Sequence, residues 1–77
     1  MNPIQLEHGL MHLRLRNTAA RPVLVCYTYP KTKHLRMPFN ICMKQLPAGG
    51  VLDLARVSGT TIEYSDLRAF QPVGEVQ

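Results

Sequence analysis

The run Leu10-Met11-His12-Leu13-Arg14-Leu15-Arg16 sets the class of structure. Met11, Leu13 and Leu15 alternate with His12, Arg14 and Arg16. In an extended chain successive side chains point to opposite faces, so the apolar residues share one face and the basic ones the other. A helical reading, with Ile4, His8, Met11 and Leu15 at helical spacing, puts Gly9 in mid-helix at a cost of about 1 kcal/mol relative to alanine. The alternation therefore predicts a strand over residues 10–16 with one wet face.

Working outward, Asn17-Thr18-Ala19-Ala20-Arg21-Pro22 supplies turn chemistry, because asparagine tolerates positive φ and proline fixes φ while removing a donor. Val23-Leu24-Val25-Cys26-Tyr27-Thr28-Tyr29 is β-branched and aromatic, and it reads as a central strand ended by Pro30. These two strands are expected to pair as an antiparallel hairpin. After an exposed turn at residues 31–33, residues 34–43 alternate again, with Leu35, Met37, Phe39 and Ile41 on one side. Pro38 places that third strand at an edge or a bulge. Leu46-Pro47-Ala48-Gly49-Gly50 is the strongest turn signal; it leads to a strand over residues 51–57, and Ser58-Gly59 turns the chain into residues 60–64, where Ile62 and Tyr64 face inward. These last two strands are expected to form a second hairpin. Ser65 then caps one short helical turn near residues 66–70, with a short edge strand as the alternative.

The expected fold is all-β: a small antiparallel β-sandwich or partly open barrel of about five to six strands. The segments at residues 17–23 and 46–50 resemble the turns of small immunoglobulin-like modules. At this length the resemblance implies a truncated sandwich, not the full seven strands.

The bulk composition narrows function. Seventy-seven residues, 45% hydrophobic and 18% charged, supply one domain over residues 1–77 and one small core. No run approaches the roughly 18 to 20 apolar residues of a membrane helix. Residues 1–8 lack the basic start and apolar block of a secretory signal, so the expected location is the cytoplasm of a host cell or a virion. In that setting Cys26 and Cys42 are expected to be free thiols, packed as small apolar side chains.

Chemistry is sparse. His8 and His12 share a face only on a helix, and residues 8–12 lie where alternation favours a strand, so no metal is expected. Ser58 and Ser65 sit in turns without the context of an activated nucleophile, and the carboxylates form no acid and base pair along the chain. The glycines at 49, 50 and 59 lack the Lys-Ser or Lys-Thr of a phosphate loop. The expectation is a non-enzyme without a cofactor.

Charge is the informative feature. Nine lysines and arginines against five acidic residues give a net charge of +4. Residues 8–52 hold Arg14, Arg16, Arg21, Lys31, Lys33, Arg36 and Lys44 and no carboxylate, whereas the remainder is net acidic. If Arg14 and Arg16 project from one strand and His34 and Arg36 from another, a basic β-face forms beside Tyr27 and Tyr29. The candidate binding residues are Arg14, Arg16, Tyr29, Lys31, Lys33 and Arg36. The first expected use is docking to a protein partner or a second copy, as a structural accessory protein of the virion decoration type or a phage-encoded modulator of a host protein. The alternative is single-stranded nucleic-acid binding, in which cations track phosphates and aromatics stack on bases.

Overall fold

A computed structural model describes residues 2–66 and 69–77. These residues form seven strands in two antiparallel sheets: β1 (Ile4–His8), β2 (His12–Asn17), β3 (Leu24–Tyr29), β4 (Phe39–Cys42), β5 (Val51–Ala55), β6 (Thr61–Ser65) and β7 (Phe70–Glu75). One sheet has the order β1-β2-β5 and the other β4-β3-β6-β7. The all-β sandwich expected from the alternation is present, with seven strands among the described residues where about five to six were expected. The additional strands are β1, where Ile4 and Leu6 alternate with Gln5 and Glu7, and β7.

The alternation in β2 is used as expected for Leu13 and Leu15, both fully buried. From the facing sheet Val25, Ile62 and Tyr64 join them, with Leu54 of β5 beside them. The molecule measures 19 Å in its thinnest direction, as two sheets packed about 10 Å apart require.

Neither expected hairpin forms. β2 pairs with β1 and β5, and β3 pairs with β4 and β6, so residues 18–23 carry the chain from one sheet to the other. Residues 56–60 do the same, separating β5 from β6. A turn signal marks a reversal in either case; what differs is the partner available to each strand. β1 reaches β2 across the three-residue loop Gly9–Met11, with Gly9 N donating to His12 O at 2.8 Å, and takes up one edge of β2. The chain thus crosses repeatedly between the two sheets, and these crossings tie the layers of the sandwich together.

The third expected strand shrinks to β4, at the sheet edge. Residues 34–38 leave the ladder because Thr32 and Leu35 close a turn, with Thr32 N donating to Leu35 O at 2.8 Å and Leu35 N to Thr32 Oγ1 at 3.0 Å. Met37 is consequently 73% exposed, not inward-facing. The expected helical turn at residues 66–70 rests on Leu67 and Arg68, which lie outside the described residues, while Phe70 begins β7. Gly49 (φ 70°) and Gly59 (φ 89°) serve the turns expected of them, in a region that side chains strain to enter.

The cysteines are not free thiols. Cys26 and Cys42 lie opposite each other in the β3–β4 ladder and form a disulfide. The sequence separation of 16 hid this, because it measures the loop between the strands and not the register that brings the two Cα atoms to 4.0 Å.

Candidate docking end

Three connections meet at one end of the sandwich. The β1–β2 loop has Leu10 and Met11 at its tip, 93% and 72% exposed. Tight turns favour Gly, Asn, Asp, Ser or Pro, and of these the loop has only Gly9, so turn chemistry does not call for Leu and Met at its tip. Arg56, just past β5, fixes this tip: its N–H donates to Met11 O at 3.1 Å and its guanidinium Nη1 to Gly9 O at 2.9 Å. The β5–β6 connection in turn packs on the start of the β3–β4 loop, so closely that a Cβ on Gly59 would lie 3.2 Å from Pro30 Cγ. That third loop carries Lys31, Lys33, His34, Arg36 and Met37.

The structure divides the six candidate residues into two groups. Arg14 and Arg16 lie on the outer face of the three-stranded sheet, where the register sets Glu7 and Asp53 on either side of Arg14. Arg14 Nε donates to Asp53 Oδ1 at 2.8 Å, and Arg16 Nη2 to Glu7 Oε1 at 3.4 Å. The hydrogen bond from Arg14 holds the Asp53 carboxyl below the usual carboxylate range, and the same bond raises the guanidinium. These two arginines each face a carboxylate, and they lie on a different sheet from Tyr29 and the loop that follows it, so the six residues do not share one β-face. An open groove of about 460 Å³ lies here, lined by Glu7, His8, Gly9, His12, Arg14 and Asp53. Both of its carboxylates are engaged by arginine, and among the described residues no group of three or more His, Cys, Asp or Glu side chains is placed to hold a metal ion.

Tyr29, Lys31, Lys33 and Arg36 form the second group, at the end of β3 and in the loop beyond it. Among the described residues the ion pairs are Arg14–Asp53, Arg16–Glu7 and Arg21–Asp66, so Lys31, Lys33 and Arg36 have no carboxylate within pairing distance. Tyr29 is half-buried and packs edge-on against Tyr27, with ring centroids 5.4 Å apart and planes at 78°. Burial raises its phenol above the ordinary value, with a smaller contribution from Tyr27. Tyr27 packs against the core, and Phe39, directly across from Tyr29, is 51% exposed.

Sequence reasoning missed Leu10, Met11 and Met37 as surface residues because alternation continued past the true strand ends. Gly9, and the two prolines at 30 and 38 that frame the loop, were the available signals. No helix among the described residues is long and apolar enough to cross a membrane. No known family model, curated protein or solved structure matches the chain.

Proposed function

We propose that this protein is a non-enzymatic interaction module that docks, by the end built from the β1–β2 and β3–β4 loops, onto an acidic protein surface with apolar residues of its own. The observation that carries this reading is the coincidence at one end of three large exposed apolar side chains, Leu10, Met11 and Met37, with three unpaired cations, Lys31, Lys33 and Arg36. Single exposed apolar residues are ordinary on a protein surface; a group of them beside uncompensated charge is a docking signature. Methionine adapts its shape to a partner, and arginine pairs carboxylates through two parallel hydrogen bonds. A structural accessory role, in a virion or on a host protein, uses such an end. Of the two locations expected from the sequence, the virion suits the disulfide better than a reducing cytoplasm does.

The test is titration of the isotope-labelled protein with a short peptide of alternating Glu and Leu, and separately with oligo-thymidine. Docking predicts peptide-induced amide shifts confined to residues 9–12, 30–39 and 56, abolished by Lys31→Glu, Lys33→Glu and Arg36→Glu together. Shifts produced by the oligonucleotide and not the peptide favour the nucleic-acid alternative, in which Phe39 and Tyr29 meet the bases. Peptide shifts centred on Arg14 and Arg16 would count against this end of the molecule.

A further inference from the structure

We propose that the Cys26–Cys42 disulfide is a redox clasp on the docking loop, opened by an external dithiol; the proposal rests on the docking role above and adds its regulation. β4 has four residues, none of them buried, and a single sheet neighbour, β3. Its removal from β3 therefore leaves the core intact, since that core is built from β1, β2, β3, β5, β6 and the segments around Val23, Leu46 and Val76. Beyond β4 the chain is fixed independently, by Met43 N donating to Val25 O at 3.0 Å and by the paired main-chain bonds between Val23 and Leu46. The segment the disulfide controls is thus bounded by Tyr29 on one side and Met43 on the other, and it contains Lys31, Lys33, Arg36 and Met37.

Without the disulfide, β4 is held to β3 by its short ladder and by Asn40 Nδ2 donating to Thr28 Oγ1 at 2.6 Å. A four-residue edge strand closing so long a loop is the kind of unit that opens locally while the rest of a domain stays folded. The clasp is also reachable. Cys42 is exposed while Cys26 is 3% exposed, so an incoming thiolate meets the Cys42 sulfur. That attack forms a mixed disulfide and breaks the Cys26–Cys42 bond; Cys26 leaves as a thiolate and takes a proton from water. The second thiol of the dithiol then displaces Cys42, which is protonated in the same way. Two electrons pass from the dithiol, which ends as its own disulfide, to the protein, which ends as two thiols.

The experiment is amide hydrogen exchange and Glu-Leu peptide titration on the native protein, oxidised, treated with dithiothreitol, and as the Cys26→Ala, Cys42→Ala double variant. The clasp predicts that dithiothreitol reduces the folded protein and that exchange at residues 30–42 accelerates, while Leu13, Leu15, Val25 and Ile62 keep their protection. Peptide affinity should fall on the order of tenfold, because binding must then order the loop side chains. The double variant should reproduce both effects without reductant. Loss of protection throughout the core on reduction would make the bond a staple of the whole fold and overturn the proposal. So would unchanged exchange at residues 30–42, resistance of the folded protein to the dithiol, or equal affinity of the oxidised and reduced forms. If the oxidised protein binds no peptide, the docking reading fails, while the exchange measurement still decides whether the clasp exists.

Discussion

The side-chain amide of Asn17, the last residue of β2, donates to the carbonyl of Leu46 at 3.0 Å, tying one sheet to the segment bridged to the other. The same Nδ2 reaches Arg21 O at 2.8 Å and Pro47 O at 3.1 Å, and Oδ1 accepts from Ala19 N at 2.9 Å. With two hydrogens serving three carbonyls, one bond is shared. Asn17 is fully buried, at the end opposite the β1–β2 and β3–β4 loops, and it fastens the chain where it crosses between sheets.

Asn17→Ala should therefore destabilise the fold by about 2 to 4 kcal/mol, since Arg21 O and Ala19 N lose this partner while Leu46 O and Pro47 O keep main-chain donors. Asn17→Asp should cost more at neutral pH, because it turns a carboxylate toward carbonyl oxygens, and should regain stability as acid protonates it. Urea unfolding at neutral and mildly acidic pH separates the two. A cost for Asn17→Ala well under about 1 kcal/mol would show that the amide bonds are unimportant, and an Asn17→Asp cost that does not change with pH would show that the carboxylate is not held against the carbonyls.

Thr60 is the reverse case. Its side chain is buried, and Oγ1 has no hydrogen-bond partner among the described residues, although its main-chain groups bond Val57 and Val76. Thr60→Val removes the unpaired hydroxyl, keeps the branched shape and should stabilise the protein by about 1 kcal/mol. A lower urea midpoint in this variant would mean that the hydroxyl is paired in solution.

These two residues show where the sequence was legible. Period-two patterning identified the inward faces of β2 and β6 correctly, because Leu13, Leu15, Ile62 and Tyr64 sit on regular extended backbone with one wet side. Pairing was not legible: Asn17 reads as a turn former from its chemistry alone, and only the neighbouring sheet makes it a buried tie. The expected basic face failed for the same reason. Arg14 and Arg16 do point outward as the alternation requires, but their charge was decided by Glu7 and Asp53, distant in sequence and adjacent in register. Lys31, Lys33 and Arg36 sit in the loop between β3 and β4, where no ladder register sets a carboxylate opposite them among the described residues.

The pH dependence of stability follows from the perturbed groups. Asp53 and Asp66 are both lowered, first by hydrogen bonds from Arg14 and Arg21 respectively. Their contribution is present above the unfolded carboxyl value of about 4 and is lost as pH falls through the lower folded values. Tyr29 is raised by burial, so its contribution is present below about pH 10 and declines as the solution becomes more alkaline. Stability should be level between these limits and fall outside both. Asp53→Asn and Asp66→Asn together should flatten the acid limb, and Tyr29→Phe the alkaline one. Thermal melts across pH, with tyrosinate absorbance followed on the alkaline side, test this; an acid limb unchanged in the double variant would assign it to other carboxylates.

Leu10 and Leu13 lie three residues apart and should behave oppositely on truncation. Leu13 is fully buried between the sheets, and Leu13→Ala should cost about 2 to 5 kcal/mol, the range for deleting a leucine side chain from a packed core. Leu10 stands almost wholly in solvent on a loop whose backbone is held by Arg56, so Leu10→Ser, alone or with Met11→Ser, should change stability by less than about 0.5 kcal/mol. If the tip exists for docking, the same pair of changes should weaken binding of the Glu-Leu peptide without moving the melting temperature, whereas Arg56→Ala should weaken binding by releasing the tip. A Leu10→Ser, Met11→Ser protein that melts normally and binds the peptide as the parent does would remove the apolar half of the docking surface and leave its cations as the only recognition element.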